Sequence, residues 1–548
     1  MYYTLFRRKQ KESNMRKMKQ QVVIVLVMCT VISGTISAAT NYVVTPGTPG
    51  VTPTANYTSW ATAAANIQDA IDVVGSGGLV LVTNGTYVLT NQISISDSIT
   101  VRSFNNGAVD RDGTVINGNY PTVTNRCVFL DHASAVLDGF TVTNGYGNVA
   151  SESGHGGGIF LDQGTVTNCL ITGNETPKSG GGVFMDARLS EGAATLTDCT
   201  ISGNEATSSD PTNAPAYGGG VYFLNGGLAT DCLIEGNLAN NGGGAFFSGL
   251  YGGGTLRDST VSRNKAFTYK SGNGGAGIGM WFRGYVRNCQ VVSNTITQVS
   301  GSGYTAGVGM SYHAEVTDCY IAYNIGGNYG GGLNCGGGGS GGCMASNCVI
   351  MYNSANTGGG VMVGTKALLT DCTVVSNSHA AYIGGSEAEI RNCLFAENSA
   401  GLSQASGDVR IMNCTIVNNG NTGLALGHGA LTWDPVAHVE NSIITGHSSD
   451  NYKLLSSYPE ITFTNSCTTP LPSEPYDTGN ITNAPLFADE STGDYRLTSP
   501  SPCVNTGVAR AWMTGAVDLD GNPRLVGTTV DMGAYELPPP AGTCIIVR

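Results

Sequence analysis

Two carboxylates end copies of one glycine-rich segment. Asp162 closes the segment GGGIFLD and Asp186 closes GGGVFMD, and Arg283 and His313 end looser copies of it. If these segments stack, the four side chains share one column. Two neighbouring carboxylates can share a proton, act in glycoside hydrolysis or hold a calcium ion. The four residues are therefore candidates for catalysis, and the two aspartates for a metal site. The competing interpretation is a polar rim on a solvated face.

Aromatic residues occupy a second row of the same segments, two positions before the first column. They are Phe160, Phe184, Tyr222, Phe246 and Trp281, and they alternate with aliphatic residues. Successive side chains of a strand point to opposite faces, so alternation predicts that these five rings point outward. Exposed aromatic rings stack on sugar rings, which would make the row a carbohydrate-binding track. The competing interpretation is an apolar stripe covered by its own loops.

These positions depend on a repeat that runs through most of the chain. The segment TVTNCLITGN at 165–174 recurs as TLTDCTISGN at 195–204 and, in all, ten times, with a Cys or Ser anchor that steps by 21 to 33 residues. Asn or Asp precedes every anchor, and Asn follows it by five residues. Such a repeat is typical of a solenoid in which each copy forms one coil around a continuous core.

The offsets within the repeat predict the shape of one coil. Val166, Cys169 and Ile171 should point inward from two short strands, with Asn168 at the tight bend between them. Equivalent residues of successive coils would lie about 4.8 Å apart, so Asn174 and its equivalents should hydrogen-bond to one another in a structural column. The glycines recur once per coil, which indicates tight turns and close packing and not a phosphate-binding loop.

Nine of the sixteen cysteines occupy the anchor position. A disulfide framework or a string of metal sites would use such a column, but we favour a stack of small buried side chains in which Ser259 replaces Cys without a change of shape. Exported proteins do form disulfides. Cys335 with Cys343, and Cys503 with Cys544, are the pairs to expect if any form.

Composition and the N-terminus indicate an exported protein. Glycine accounts for 79 of 548 residues and charged residues for only 12%. Seven basic residues precede or flank an apolar run at 22–36, and Ser37-Ala38-Ala39 offers a cleavage site, so residues 1–39 are predicted to be a signal peptide that starts at Met1 or Met15. Cleavage removes seven basic residues and one acidic residue and changes the net charge from −13 to −19. That charge argues against binding to nucleic acid.

The predicted organisation has five parts. After the signal peptide come a mature N-terminal segment (40–58), the repeat region with an N-terminal cap (59–482), a C-terminal cap module (483–536) and a tail (537–548). The cap would be an amphipathic helix with apolar residues at 67, 70, 71 and 74, covering the open sheet edge. Asp518-Leu-Asp-Gly-Asn522 is similar to part of a calcium loop but lacks the downstream Glu, so a turn is predicted there.

The helix–strand start, the coil N/D-C-x-[IV]-x-x-N and the GGG[IV] strand resemble the pectate-lyase-like right-handed β-helix superfamily. The coils are also similar to the repeats of polymorphic outer-membrane proteins. The tail, with SPC at 501–503 and DMGAYE at 531–536, resembles the C-terminal module of secreted bacterial β-helix proteins that use varied surface anchors. The resemblance implies an all-β fold, a right-handed parallel β-helix solenoid with an N-terminal amphipathic capping helix. It also implies a groove beside the glycine-rich strand.

The resemblance does not bring a known active site with it. The Arg-x-Pro-x-x-Arg motif of pectate lyases is absent, and the Gly-His-Gly element of polygalacturonases occurs around His155 and His428 without an Asp-Asp pair upstream. We therefore expect a monomeric, secreted or cell-surface protein that binds a polysaccharide or cell-surface glycan in the groove, with no membrane span after signal cleavage. We expect no cofactor, with calcium as the ion to test. The alternative is a polysaccharide lyase or glycoside hydrolase acting in the same groove.

Overall fold

The computed structural model describes residues 39–147, 154–187, 194–249, 252–268, 274–298, 305–336, 341–427, 436–455, 460–472, 478–525 and 527–538. Residues 1–38 of the predicted signal peptide, His428 and Cys544 lie outside these residues. Contacts divide the chain into two compact units, which are described separately. The first comprises residues 1–270 and 274–301, and the second comprises 271–273 and 302–548.

The first unit is a parallel β-helix, as predicted, in which each coil stacks its strands in register on those of the next. The strands before the anchor are Thr40–Val43, Leu79–Thr83, Thr100–Phe104, Val128–Asp138, Ile159–Thr167, Ala194–Thr197, Leu228–Thr230, Thr255–Arg257 and Tyr285–Arg287. The strands after the anchor are Gly85–Val88, Thr114–Asn117, Thr141–Thr143, Leu170–Thr172, Thr200–Ser202, Leu233–Glu235, Thr260–Ser262 and Gln290–Val292.

Two further ladders complete the coils of this unit. The first is short and follows the bend asparagine, with strands Glu175–Thr176, Glu205–Ala206, Leu238–Ala239, Lys265–Thr268 and Thr295–Gln298. The second, which we call the glycine ladder, follows the glycines. It contains Ile93–Ile95, the first residues of Val128–Asp138 and Ile159–Thr167, and then Val183–Met185, Val221–Phe223, Ala245–Phe247 and Ile278–Met280.

The side chains of each coil point as the repeat predicts. Val166, Cys169 and Ile171 are fully buried, and Asn168 turns the chain with a φ of 51°, a left-handed conformation that Asn tolerates better than most residues. The bend asparagines at 174, 204, 237, 264 and 294 form one buried column, in which each side-chain amide donates to the next side-chain oxygen at 2.9–3.0 Å. The predicted column is confirmed.

The glycines allow coils to approach one another closely. A Cβ atom at Gly219 would lie 2.3 Å from the carbonyl oxygen of Leu238 and 2.6 Å from that of Gly243. Gly218, one position earlier, has a φ of +66°, which L-residues with side chains adopt only with strain. The glycines therefore serve packing and turning, as predicted.

A single α-helix, Ile67–Val74, occurs among the described residues. Its N-cap Asn66 accepts a hydrogen bond from the backbone N–H of Gln68 at 2.9 Å, which satisfies one of the free amides of the first turn. Its residues 67, 70, 71 and 74 are buried, and it packs against Thr40–Val43 and Leu79–Thr83. Its role as a cover for the sheet edge stays a prediction. A helix long and apolar enough to span a membrane is not found in the described part of the chain.

The second unit repeats the same coil. Its strands before the anchor are Glu315–Thr317, Met344–Ser346, Leu368–Thr370, Ala388–Arg391, Asp408–Met412, Val436–Glu440 and Glu460–Thr464. Those after it are Tyr320–Ala322, Val349–Met351, Thr373–Val375, Leu394–Ala396, Thr415–Val417, Ile443–Thr445 and Cys467–Thr468. Its glycine ladder contains Val308–Met310, Leu333–Cys335, Val361–Val363, Ala381–Ile383, Leu402–Gln404, Thr422–Leu426 and Asp450–Leu454.

The anchor cysteines are buried thiols in both units, as predicted. All fourteen cysteines of the described chain are free and buried, so the Cys335–Cys343 pair is not bonded. The thiols donate weakly to the carbonyl two residues earlier, as Cys232 does to Thr230 at 3.2 Å. Ser259 takes the same position and donates to Arg257 at 2.7 Å. The predicted Cys503–Cys544 pair includes a residue outside the described chain.

The C-terminal segment covers more than the end of the second unit. Its two antiparallel pairs are Phe487–Asp489 with Asp494–Leu497 and Gly507–Val508 with Thr529–Val530, and its 3-10 turns are Glu490–Thr492 and Ala511–Met513. The asparagines that precede four successive anchors, 392, 413, 441 and 465, hydrogen-bond to Arg524, Asp531, Val508 and Thr506, respectively. The segment therefore lies along the flank of four coils, and its role as a cap stays a prediction.

The Asp518 segment forms the predicted turn. The Asp518 carboxylate accepts hydrogen bonds from the backbone N–H groups of Asp520 and Asn522 at 2.9 and 2.7 Å. Close by, the fully buried Arg524 pairs with Glu536 at 3.2 Å. Burial raises the pKa of Glu536 to about 8 in spite of this pairing. The Arg524 guanidinium also donates to the carbonyl oxygen of Gly533 at 2.9 Å, so its contacts link residues 524–536 of the segment.

Candidate functional site

The predicted aromatic row exists in the glycine ladder of the first unit. Phe160 pairs in register with Phe184, Phe184 with Tyr222 and Tyr222 with Phe246. The ring centroids of neighbours lie 4.8 to 5.9 Å apart. Phe129 extends the row by one coil at the N-terminal side, where it pairs with Phe160. The alignment of the glycine-rich segments did not include Phe129, because no glycine triad precedes its strand.

The row points away from the main core but is not an exposed stripe. Phe184, Tyr222 and Phe246 are 2%, 7% and 0% exposed, whereas Phe129 and Phe160 are half-buried. The rings form a second, smaller apolar cluster outside the β-helix core. The prediction of five outward, accessible rings is therefore wrong for these three residues. The competing interpretation, a stripe covered by the chain's own residues, describes them correctly.

The cover consists of side chains from the turns that precede the glycines. The Tyr217 ring lies 4.5 Å from the ring of Phe246, and the His155 ring lies 4.5 Å from that of Phe184. The Arg126 guanidinium lies over the Phe160 ring at 4.8 Å, a cation–π contact. The sequence offers a partial signal for these residues, since an aromatic residue or a histidine next to a glycine turn can fold back over the strand that follows.

Trp281 does not belong to the row, and its register differs by two residues from the prediction. Gly279 pairs with Phe246, and Met280 pairs with Phe247. The absence of a side chain at Gly279 leaves room for the Phe246 ring, which would approach a Cβ there to 2.7 Å. Trp281 packs by its edge on this ring at 5.4 Å and on Tyr217 at 5.0 Å, and remains half-buried.

The predicted polar column is also corrected by this register. The backbone N–H groups of Asp186, Leu224, Ser248 and Trp281 donate to equivalent carbonyls of the preceding coil, so Trp281 occupies the column of the two aspartates. Arg283 lies two residues beyond this column and is exposed. His313 belongs to the second unit, where it follows the strand Val308–Met310. The four candidates therefore do not form one catalytic column.

Asp162 and Asp186 do occupy equivalent positions on adjacent coils. Their preceding residues, Leu161 and Met185, are register partners. Asp162 is half-buried, whereas Asp186 is 2% exposed and accepts a hydrogen bond from the side-chain amide of Asn225 at 2.7 Å. A solvated rim therefore does not describe Asp186. Within the described chain, no group of three or more His, Cys, Asp or Glu residues is placed to hold a metal ion.

His155 brings a titratable group to this region. Its Nδ1 accepts a hydrogen bond from the backbone N–H of Ser179 at 3.2 Å. Burial lowers the pKa of His155 to about 4, and the charges of Lys178 and Arg126 act in the same direction, while Asp186 opposes them. The imidazole is therefore neutral at pH 7, and its Nε2 carries the proton as a donor.

We call the accessible part of this region the groove edge, after the groove that the resemblance implies, and its chemistry is mixed. Its half-buried members are the rings of Phe160, Tyr217 and Trp281, the imidazole of His155 and the carboxylate of Asp162. Apolar ring surface beside hydrogen-bonding groups suits a sugar, whose ring has an apolar face and polar edges. Behind them, the Tyr222 hydroxyl bonds to the Ser248 hydroxyl at 2.6 Å and keeps the buried rings in place.

A separate cavity of about 440 Å³ lies near the α-helix of the first unit. Its lining includes Pro46, Asn66, Gln68, Tyr87 and Gln92. It contains none of the predicted site residues, and several of the polar side chains that line it already form hydrogen bonds, for example Gln68 to Asp72 at 2.7 Å.

Comparisons with known proteins concern the fold. Residues 306–468 match the family described as "Right handed beta helix region". The crystal structure of pectate lyase Pel9A is similar over 91% of this chain and 96% of its own, with 15% identity and a TM-score of 0.27. The structure of XylC in complex with xylose is similar over 91% of this chain and 98% of its own, with 9% identity and a TM-score of 0.37. No curated protein matches the chain. The fold class is a right-handed parallel β-helix, and these similarities do not extend to activity.

Proposed function

We propose that the protein is secreted or held at the cell surface and binds carbohydrate, or mediates adhesion, through the groove edge beside the glycine ladder of the first unit. The observation that carries the proposal is the half-buried aromatic surface of Trp281 and Tyr217, supported from behind by the buried rings of Phe246 and Tyr222. A rigid ring loses little conformational entropy when a sugar stacks on it.

A glycan array that includes neutral and acidic polysaccharides tests this function. The mature protein should bind at least one glycan class, and Trp281→Ala should weaken that binding about tenfold, the effect of losing about 1.4 kcal/mol of ring contact. Tyr352→Ala is a matched control, because Tyr352 is an exposed tyrosine (45%) of the second unit. Equal binding by Trp281→Ala and wild type, or a loss in Tyr352→Ala alone, would place the site elsewhere.

The alternative function, a polysaccharide lyase or glycoside hydrolase in the same groove, is favoured by one cluster. A neutral His155 lies close enough to Arg126, Lys178 and Asp186 to sense their charges, and Asp162 and Asp186 are neighbours on adjacent coils. A neutral imidazole and a carboxylate are the groups that general acid–base catalysis uses.

Product analysis separates the two functions. A polysaccharide panel with calcium or with a chelator should show binding without new reducing ends or unsaturated products if the protein is a binding module. Product that disappears in His155→Gln would favour the enzyme, and product only with calcium would assign the metal to the reaction.

A further inference from the structure

Cys467 does not occupy the anchor position of its coil, in contrast to Cys393 and Cys414 in earlier coils of the second unit. In the last coil the anchor position is occupied by Ser466, whose hydroxyl accepts a hydrogen bond from the backbone N–H of Ser442 at 3.2 Å. Cys467 comes one residue later and pairs in register with Ile443. Successive side chains of a strand face opposite ways, so Cys467 points away from the β-helix core and towards the C-terminal module.

Cys503 meets Cys467 from that module. Both cysteines belong to one buried apolar cluster with Ile443, Leu497 and Met532, and they are 2% and 0% exposed. The Cys467 thiol donates to the carbonyl oxygen of Asn483 at 3.1 Å, and the two thiols lie close enough to shift each other's pKa. The backbone of Cys503 is fixed on both sides, because its N–H donates to the Ser501 hydroxyl at 3.2 Å and its carbonyl accepts from Met532 at 3.0 Å.

We propose that Cys467 and Cys503 are a modification site, the two ends of a disulfide that links the C-terminal module to the last coil of the β-helix. The bond forms by thiol–disulfide exchange with a small-molecule disulfide such as oxidised glutathione. One protein thiolate attacks it and releases one reduced thiol, and the second protein thiolate then displaces the other. Each cysteine loses one proton and one electron, and the small disulfide is reduced to two thiols. The bond requires an oxidising compartment, so in the cell it rests on the proposed export.

Both thiols are closed off from solvent in the folded protein. Contact with Cys503 lowers the pKa of the Cys467 thiol, whereas contact with Cys467 and burial raise the pKa of the Cys503 thiol. Since both groups are buried, exchange takes place before the module has closed over the last coil.

The anchor cysteines do not compete for this bond. Backbone hydrogen bonds hold successive coils about 4.8 Å apart, whereas disulfides need Cβ atoms roughly 3.5–4.5 Å apart. Cys467 and Cys503 belong to the last coil and to the C-terminal module, so the spacing between stacked coils does not fix the distance between them.

Peptide mapping of the full-length mature protein tests the proposal without a variant. The protein is refolded with oxidised glutathione, denatured, alkylated without reductant and digested with trypsin. Cleavage after Lys453, Arg496, Arg510 and Arg524 separates the cysteines into the peptides 454–496, 497–510 and 525–548. The proposal predicts a cross-link between the first two. Alkylation of both Cys467 and Cys503, or a cross-link between 497–510 and 525–548, would overturn it.

Thermal unfolding with and without reductant gives a second measurement. Reduction should lower the melting temperature of the oxidised protein by several degrees, because the bond closes a loop of about 37 residues. Cys467→Ser should have lost this sensitivity, while the control Cys414→Ser, which alters an anchor that tolerates serine elsewhere, should retain it. Equal sensitivity in both variants would contradict the proposal, and neither result depends on glycan binding.

Discussion

Replacement of Asn237 by Ala removes one member of the asparagine column, and the structure allows its cost to be worked out. Asn237 is fully buried. Its side-chain oxygen accepts the backbone N–H of Asn204 at 2.9 Å, and its amide donates to the carbonyl oxygen of Ile201 at 2.9 Å. The substitution leaves the buried Asn204 N–H without its acceptor and removes one of the donors to the Ile201 carbonyl. The unsatisfied N–H costs about 1–3 kcal/mol and the lost bond to Ile201 about 0.5–1.5 kcal/mol, so the expected loss is about 1.5–4.5 kcal/mol.

Hydrogen exchange is the assay, because repeat proteins open locally and a global unfolding curve need not be two-state. If exchange follows local opening, the amides of Asn204 and its neighbours should exchange roughly 10-fold to 2,000-fold faster than in the wild type. Asn213→Ala, at an exposed turn where the side chain bonds only to Asp210, is the control and should change exchange little. Exchange at Asn204 within a few-fold of wild type would refute the proposed energetic role of the column.

Three further predictions concern the coil and the groove. Gly219→Ala should lower stability by about 1–3 kcal/mol or prevent folding, measured by urea unfolding, because its Cβ would collide with the carbonyl oxygen of Leu238. Ser259→Cys should change stability by less than about 1 kcal/mol, whereas Ser259→Leu should cost about 1–3 kcal/mol in the same assay; equal effects would contradict the anchor column. Acidification from pH 6.5 towards pH 4 should destabilise the wild type relative to His155→Gln by at most about 3 kcal/mol. The reason is that His155 binds a proton in the unfolded state over this pH range but stays neutral in the folded state. A pH-independent difference between the two proteins would show that His155 is not desolvated.

The coil could be predicted because its signals are local and repeated. An Asn at a fixed offset from the anchor identifies the bend column, and the structure confirms it at Asn174, Asn204 and Asn237 with bonds of 2.9–3.0 Å. Inward positions such as Val166 and Ile171 follow from alternation within three-residue strands. These features need no knowledge of what lies outside the coil.

The candidate site was only partly predictable, because its surroundings come from other turns. The alternation of residues correctly predicted that Phe184 and Phe246 point away from the core, but it could not show that His155 and Tyr217 cover them. The register error at Trp281 arose from the alignment of its glycines. The hydrogen bonds from Ala245 to Gly277 and from Gly244 to Ala276 show that Gly275-Ala276-Gly277 replaces the glycine triad, with Ala in one position. Reading that Ala as a glycine substitute would have placed Trp281 correctly.

The most direct test of carbohydrate binding in the groove is a crystal structure of the mature protein with an oligosaccharide from the glycan class that binds most tightly. We predict a sugar ring in van der Waals contact with Trp281 and Tyr217, with hydroxyl groups near His155 or Asp162. An oligosaccharide bound away from these residues, with the groove edge empty, would contradict the account.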